Sequence, residues 1–177
     1  MKAIFLETPR LFLKTLHEEN ASLLLRYVLE NRSFLEEWVP KMPEAFFTLE
    51  GQLAQINHRA ENSFVVYLFK KENSEQIIGQ IGLSNIVLGA FQSCNIGVSM
   101  LATEINNGYM AEAVEAVKAY AFEVIGLHRI EANIMPRNHA SKRLFEKLGF
   151  VHEGLSRKYL KINDRWEDHE RYVIWNE

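Results

Sequence analysis

Gly97-Val98-Ser99-Met100-Leu101 runs on through Ala102-Thr103-Glu104-Ile105-Asn106-Asn107 into Gly108-Tyr109-Met110-Ala111, and the reading of this stretch decides the fold. It passes from strand through a short loop into a long helix. The helix runs from Gly108 to about Ile125, because Met110, Val114, Val117, Ala121 and Val124 recur on one face at helical spacing. Gly126 supplies its C-terminal stop. A helix start carries free backbone N–H groups and a partial positive charge, which suit a phosphate or pyrophosphate. Gly108 lets backbone come close to a ligand, and Asn106 and Asn107 tolerate the left-handed dihedrals such a loop requires. A plain turn capped by Asn and Gly accounts for the same residues, so the loop alone leaves both readings open.

Working outward, Arg10 to Leu16 alternates as a first strand. Thr15 and Glu18 have the spacing of a capping box for a helix from about His17 to Asn31. A second helix is expected from about Leu49 to Glu61, after a stretch punctuated by Pro40 and Pro43. Ser63 to Lys70, Gln76 to Val87 and Asn95 to Leu101 read as three strands, the first two joined by a turn at Lys71 to Glu75. Beyond the long helix come a short strand, Ile130 to Ile134, and a short helix, Ala140 to Leu148, ended by Gly149. Phe150 to Leu160 and Glu170 to Trp175 close the chain as two strands about an Asn163-Asp164 turn. The order strand, two helices, three strands, helix, strand, helix, two strands predicts an α/β (α+β) layer architecture with a mixed central sheet. Without repeat, low-complexity tract or linker, residues 1–177 read as one domain.

Composition narrows the class. Of 177 residues, 47% are hydrophobic and 24% charged, the balance of a globular chain rather than a disordered one. No apolar run reaches the ~18 residues of a membrane span. Met1 to Glu7 lacks the apolar core of a secretory signal. Cys94 is the one cysteine, which rules out an internal disulfide and a cysteine zinc site. These features place the chain in the cytoplasm, away from membranes. A net charge of −3 argues against direct nucleic-acid binding. It favours a cationic substrate only weakly, since mild acidity also serves solubility. The six histidines show no metal-ligand spacing, so no metal is expected. Cys94 stands among strand residues, where a small buried hydrophobe is the commoner role than an acyl-carrying nucleophile.

A second segment carries more. Asn138 and Ser141, three apart, open a short helix that ends in Leu148-Gly149-Phe150. This pattern resembles the C-terminal half of the GNAT superfamily of N-acetyltransferases. Similarity to its RimJ/RimL branch of ribosomal-protein acetyltransferases extends to Asn31-Arg32, Phe34-Leu35 and Trp38. It also takes in Ser84-Asn85-Ile86-Val87 with Gly89, Phe91 and Cys94, and Asp164, Trp166 and Asp168-His169. The resemblance spans about Leu6 to Trp175. One departure stands out: the family's phosphate loop has a first Gln or Arg and often a Gly-Lys-Gly filling, where this chain has Ile105-Asn106-Asn107-Gly108.

The resemblance implies acetyl-CoA as co-substrate, with the main chain of Ser99, Met100 and Leu101 pairing with its pantetheine arm. Asn106, Asn107, Gly108, Tyr109, Met110 and Ala111 would hold the pyrophosphate, and Asn138 and Phe145 would touch the pantetheine. Ser141 matches the family's general acid, although the same serine is placed to cap the short helix. Leu160 stands where the RimL pattern carries a glutamate as general base, which leaves Asp168 and His169 as the nearest proton route. For Asp168 a structural ion pair is the commoner reading. Phe34 and Trp38 are aromatics of the core or of the substrate groove. The implied reaction is acetyl transfer, in a ternary complex, to the N-terminal amine of a protein, a ribosomal protein beginning with alanine. A small-amine acetyltransferase for a polyamine or antibiotic, and an acetyl-CoA-binding module weakened in catalysis, are the competing readings. Either a monomer or a homodimer suits all three.

Overall fold

The computed structural model describes residues 3–58 and 60–177. One sheet of eight strands runs through the molecule. In chain order they are β1 (Phe5–Glu7), β2 (Leu11–Lys14), β3 (Phe64–Lys70), β4 (Asn73–Val87), β5 (Ser93–Met100), β6 (Arg129–Ile134), β7 (Val151–Ile162) and β8 (Arg165–Trp175). Their order across the sheet is β1-β2-β3-β4-β5-β6-β8-β7. Every neighbouring pair is antiparallel except β5 and β6. Four helices cover the faces: α1 (Ala21–Leu35), α2 (Leu49–Asn57), α3 (Tyr109–Ala119) and α4 (His139–Lys147).

Each face of the sheet has its own core. Alternate residues of a strand point to opposite faces, and the burial divides accordingly. Leu68, Ile81, Cys94, Ile96, Ile130 and Ala132 meet Met110, Val114 and Val117 of α3 and Phe145 of α4. On the other face Tyr67 and Phe69 meet Leu24, Tyr27 and Val28 of α1. β3 is buried almost continuously because helices lie on both sides of it.

The expected architecture holds, and the departures are local. β1 adds a strand ahead of the first one expected; at three residues it is too short to show a period. Thr15 does not cap α1. Its hydroxyl accepts from the Ile4 N–H at 3.1 Å and so fastens the β1–β2 hairpin. The chain enters α1 through a single 3₁₀ turn at Glu18–Asn20, and α1 continues past Asn31 to Leu35. α2 ends at Asn57, short of Glu61, on a span that includes Arg59, which lies outside the described residues. β4 begins at Asn73, taking in most of the expected turn. β7 matches its expected extent to within two residues at each end, whereas β8 begins at Arg165, five residues before the start expected, and their two-residue turn, Asn163-Asp164, has φ of 46° and 65°, the signature of a type I′ hairpin.

One misjudged face has a plain cause. The long helix is α-helical only to Ala119 and continues as π-helix over Tyr120–Ile125 before Gly126 at φ 80°. The wider turn carries an extra residue and rotates the side chains beyond it. Val124, which the 3.6-residue period turns inward, is 66% exposed, and Leu127 is buried at 2% instead.

Candidate functional site: the cleft between β5 and β6 and the groove beside it

β5 and β6 pair over three positions only, Ser93 with Arg129, Cys94 with Ile130 and Asn95 with Glu131. Past Asn95 the two strands part, and a parallel sheet opens into a cleft. The ladder on the other side of β5 decides which main-chain groups face the opening. Leu101 N–H donates to Ile78 O at 2.9 Å, so alternate residues Ser99 and Gly97 also turn their N–H and C=O toward β4. Met100 and Val98 turn theirs to the cleft. Of the three residues nominated for main-chain pairing, Met100 alone presents an N–H there. The Leu101 amide is already committed to β4, and Val98 joins Met100 as a residue that the sequence did not single out.

At the mouth of the cleft, Asn106 and Gly108 adopt φ of 65° and 78° on the way into α3. The left-handed turn expected from the asparagines and glycine is therefore real, although Asn107 is not one of its left-handed residues. A clamp from the far side fixes the loop. Arg10 Nη1 donates to Asn107 O at 3.0 Å, and Arg10 Nε pairs with Glu112 at 2.6 Å. Thr8 Oγ1 donates to the same carboxylate at 2.6 Å, and the Arg10 guanidinium lies 4.6 Å over the Tyr109 ring. Partial burial opposes ionisation of the Glu112 carboxyl, yet its bonds to Thr8 and Arg10 hold it below the usual carboxylate range. Tyr109 thus serves the clamp, and Met110, at 8% exposure, serves the core.

On the α1–α2 face lies a groove of about 780 Å³, walled by α1, the turn at Glu44–Phe47, α2 and the β7–β8 turn. Val65, Tyr67 and Gln80 form its floor. Gln80 is directly opposite Ser99, whose Oγ lies 2.8 Å from the Tyr27 hydroxyl, so the inner end of the groove abuts β5 at the cleft. Asn31 Nδ2 donates to Met100 O at 3.0 Å and ties α1 to the same strand end. Burial pushes the Tyr27 phenol up to about 12, which keeps it neutral and makes it a hydrogen-bonding group rather than a base. Tyr27 and Asn31, four apart on the buried face of α1, were the polar pair that could have been noticed in the sequence.

Arg32 braces the outer wall with bonds of 3.0 Å to Glu36 and 2.5 Å to Glu44. α2 is seated directly on the Glu44–Phe47 turn, where a Cβ at Gly51 would run into Ala45 O. Gly51→Ala should therefore destabilise the protein by about 2 kcal/mol and lower its thermal midpoint by roughly 5 °C. An unchanged midpoint by scanning calorimetry would mean α2 does not sit on that turn.

The other nominated residues fall partly inside the site and partly outside it. Asn138 caps α4, its Oδ1 accepting from Ser141 N–H at 3.1 Å. Asn138 is thus the cap, and Ser141, half-buried, keeps its hydroxyl for other use. Phe145 is buried at 2% and edge-on to Phe150, which makes it a support beneath α4 rather than a surface of the cleft. Neither Phe34 nor Trp38 lines the groove. Phe34 is 40% exposed on α1. Trp38 lies under the Arg137 guanidinium at 5.8 Å, and Arg137 in turn pairs with Glu167 at 2.8 Å. Leu35, Val39 and Phe47 supply the apolar wall in their place.

Asp168 makes no ion pair among the described residues. It accepts from the Lys158 N–H at 2.8 Å, where β7 bulges and Lys158 takes φ of 48°. His169 is buried at 5%, its Nδ1 is 3.2 Å from Glu167 O, and burial holds its pKa below the usual value, so the ring is neutral at pH 7. Cys94 is buried with its thiol pushed up to about 12, which fits the small hydrophobe and not a nucleophile. Among the described residues no cluster of His, Cys, Asp and Glu could hold a metal ion, and no helix is long and apolar enough to cross a membrane.

A parted parallel pair beside a left-handed loop and a helix start is the geometry the resemblance implies. The profile of the acetyltransferase (GNAT) domain matches residues 10–151. The chain belongs to this family. It is an acetyl-CoA-dependent acetyltransferase. It is 36% identical to the probable N-acetyltransferase YjcK of Bacillus subtilis (strain 168) over 176 residues, 97% of each chain. It is 37% identical to the [ribosomal protein uS5]-alanine N-acetyltransferase of Escherichia coli (strain K12) over 169 residues, covering 93% of this chain and 87% of that one. The crystal structure of a ribosomal-protein-S5-alanine acetyltransferase from Vibrio fischeri superposes with a TM-score of 0.90 at 32% identity, covering 98% and 97% of the two chains.

Proposed function

We propose that this GNAT enzyme transfers the acetyl group of acetyl-CoA to the N-terminal amine of a protein, a ribosomal protein beginning with alanine, without a covalent acyl-enzyme. The observation that carries the reading is the groove of about 780 Å³ whose inner end meets β5 where β5 and β6 part. A cavity of that size takes the first residues of a chain end-on. The relatives that act on uS5 alanine support the choice of acceptor.

In this reading the free main chain of Val98 pairs with the pantetheine arm, and the N–H of Met100, whose carbonyl is held by Asn31, polarises the thioester carbonyl. The N–H groups at residues 106–111 receive the pyrophosphate, with the Arg10 clamp setting the loop rather than touching it. Mixing the enzyme with acetyl-CoA and an alanine-first peptide should give a mass gain of one acetyl group, placed by fragmentation on the α-nitrogen. Acetylation confined to side chains would refute the proposal. Ser141, relieved of capping by Asn138, protonates the departing thiolate. A thiolate of pKa ~8.5 already leaves fairly well, so Ser141→Ala should slow turnover by less than about a hundredfold. A larger loss in steady-state kcat would show that the leaving group needs far more help than this.

A further inference from the structure

Four buried side-chain polar atoms have no partner among the described residues: Asn31 Oδ1 and Gln52 Oε1 on the helices over the groove, and Asn133 Oδ1 and Arg171 Nε on the strands beyond the cleft. The last two are neighbours. Asn133 of β6 stands directly opposite Arg171 of β8. Ile130, Ala132 and Ile134 belong to the α3–α4 core, so Asn133 points to the other face, and Arg171 with it. Asn133 is also two residues past Glu131, the last position at which β6 pairs with β5. Across the opening stands Gly97, where even an added Cβ would meet nothing within 4 Å. The orientation of the Asn133 amide is not arbitrary. Its Nδ2 donates to Glu131 Oε1 at 3.0 Å, which leaves Oδ1 as the atom presented. Native proteins leave few buried donors or acceptors unpaired, and a facing acceptor and donor at the edge of a reaction cleft mark a place for a group that carries both.

We propose that Asn133 and Arg171 bind the acceptor's first residue. Asn133 Oδ1 accepts a hydrogen bond from its α-amine, and Arg171 Nε–H donates to its carbonyl oxygen. Within one residue these two atoms lie roughly 3 Å apart by covalent geometry, a spacing that side chains opposed on neighbouring strands can span. A lysine or polyamine nitrogen has no carbonyl at that distance. The pair thus selects α-amino acyl ends over other amines. This rests on the N-terminal reading of the groove.

The test compares each substrate with itself across variants, at pH 9, using alaninamide and sec-butylamine, which shares its amine and branch but lacks the carbonyl. Asn133→Leu should lower kcat/KM for both by about tenfold. Arg171→Met should lower it about tenfold for alaninamide and less than twofold for sec-butylamine. Calorimetric affinity for acetyl-CoA should stay within twofold in both variants. Arg171→Lys keeps the charge but not the Nε–H, and should give the same split if Arg171→Met does not fold. Equal losses on both amines in the Arg171 variants, a matching loss of coenzyme affinity, or no loss at all would each overturn the assignment. Wild-type enzyme that acetylates neither amine, nor an alanine-first peptide, would instead refute the N-terminal reading itself.

Discussion

A peptide beginning with alanine should be acetylated about a hundredfold faster at pH 7 than the same peptide with a blocked terminus and a free lysine. The difference comes from the acceptor. An α-amine of pKa ~7.7–8.0 is neutral in roughly a tenth of molecules at pH 7, against about one in several thousand for a lysine of pKa ~10.4. An enzyme with a strong base could erase that difference; Glu44, Glu167 and His169 are each poorly suited to that part. Glu44 on the groove wall is bonded to Arg32, which holds its carboxyl below the usual range. Glu167 is bonded to Arg137 with the same consequence. His169 lies buried, and its depressed pKa makes it a poor proton acceptor near neutrality. Turnover with the alanine peptide should therefore rise with pH through the acceptor's own titration near ~8 and then level off. Initial rates by thiol release from pH 6 to 10 test both points. Comparable rates on the lysine peptide, or a limb controlled by a group titrating near 6, would require a base that these residues do not provide.

How much of this was legible in the sequence depended on the range of the signal. The strand-loop-helix passage through Gly108 was readable because its cues are local: alternation, a left-handed loop and a helical period. The Asn163-Asp164 turn was readable for the same reason. Val124 was misplaced because a π-helical segment leaves the apolar spacing unchanged and alters only the backbone that carries it. The short extent expected for β8 reflects its first residues, Arg165 to Asp168, which are mostly polar and at least partly exposed and show no apolar alternation. Site residues were harder still. Leu101 looks equivalent to Met100 in sequence, and only the β4–β5 register decides that its N–H is committed elsewhere. Phe34 and Trp38 were nominated for being aromatic after a helix, yet Trp38 is claimed by Arg137, a residue far along the chain. The Asn133–Arg171 pairing depends likewise on strand register, which no local pattern encodes.

Gly108→Val should weaken acetyl-CoA binding by about thirtyfold while leaving the enzyme folded. Gly108 sits at φ 78°, where a β-branched residue is strained. Space is tight as well, since a Cβ there would stand 3.4 Å from Arg10 Nη2. Arg10 cannot readily withdraw, being held by Glu112 at 2.6 Å and by Asn107 O at 3.0 Å. The added side chain thus points at the clamp and not at the phosphates. Its effect on binding is indirect: the loop must leave the left-handed region, and the N–H groups at the start of α3 lose their convergence. A conformational strain of about 2 kcal/mol, relieved by that shift, corresponds to the thirtyfold loss. Gly108→Ala should show a smaller loss in the same direction. Arg10→Ala alone also loosens the clamp, so the comparison that separates crowding from strain is Arg10→Ala/Gly108→Val against Arg10→Ala; with the contact removed, the glycine change should still weaken binding by at least about tenfold. Isothermal titration with acetyl-CoA measures all four variants. Wild-type affinity in Gly108→Val would mean the coenzyme's phosphates bind away from the start of α3.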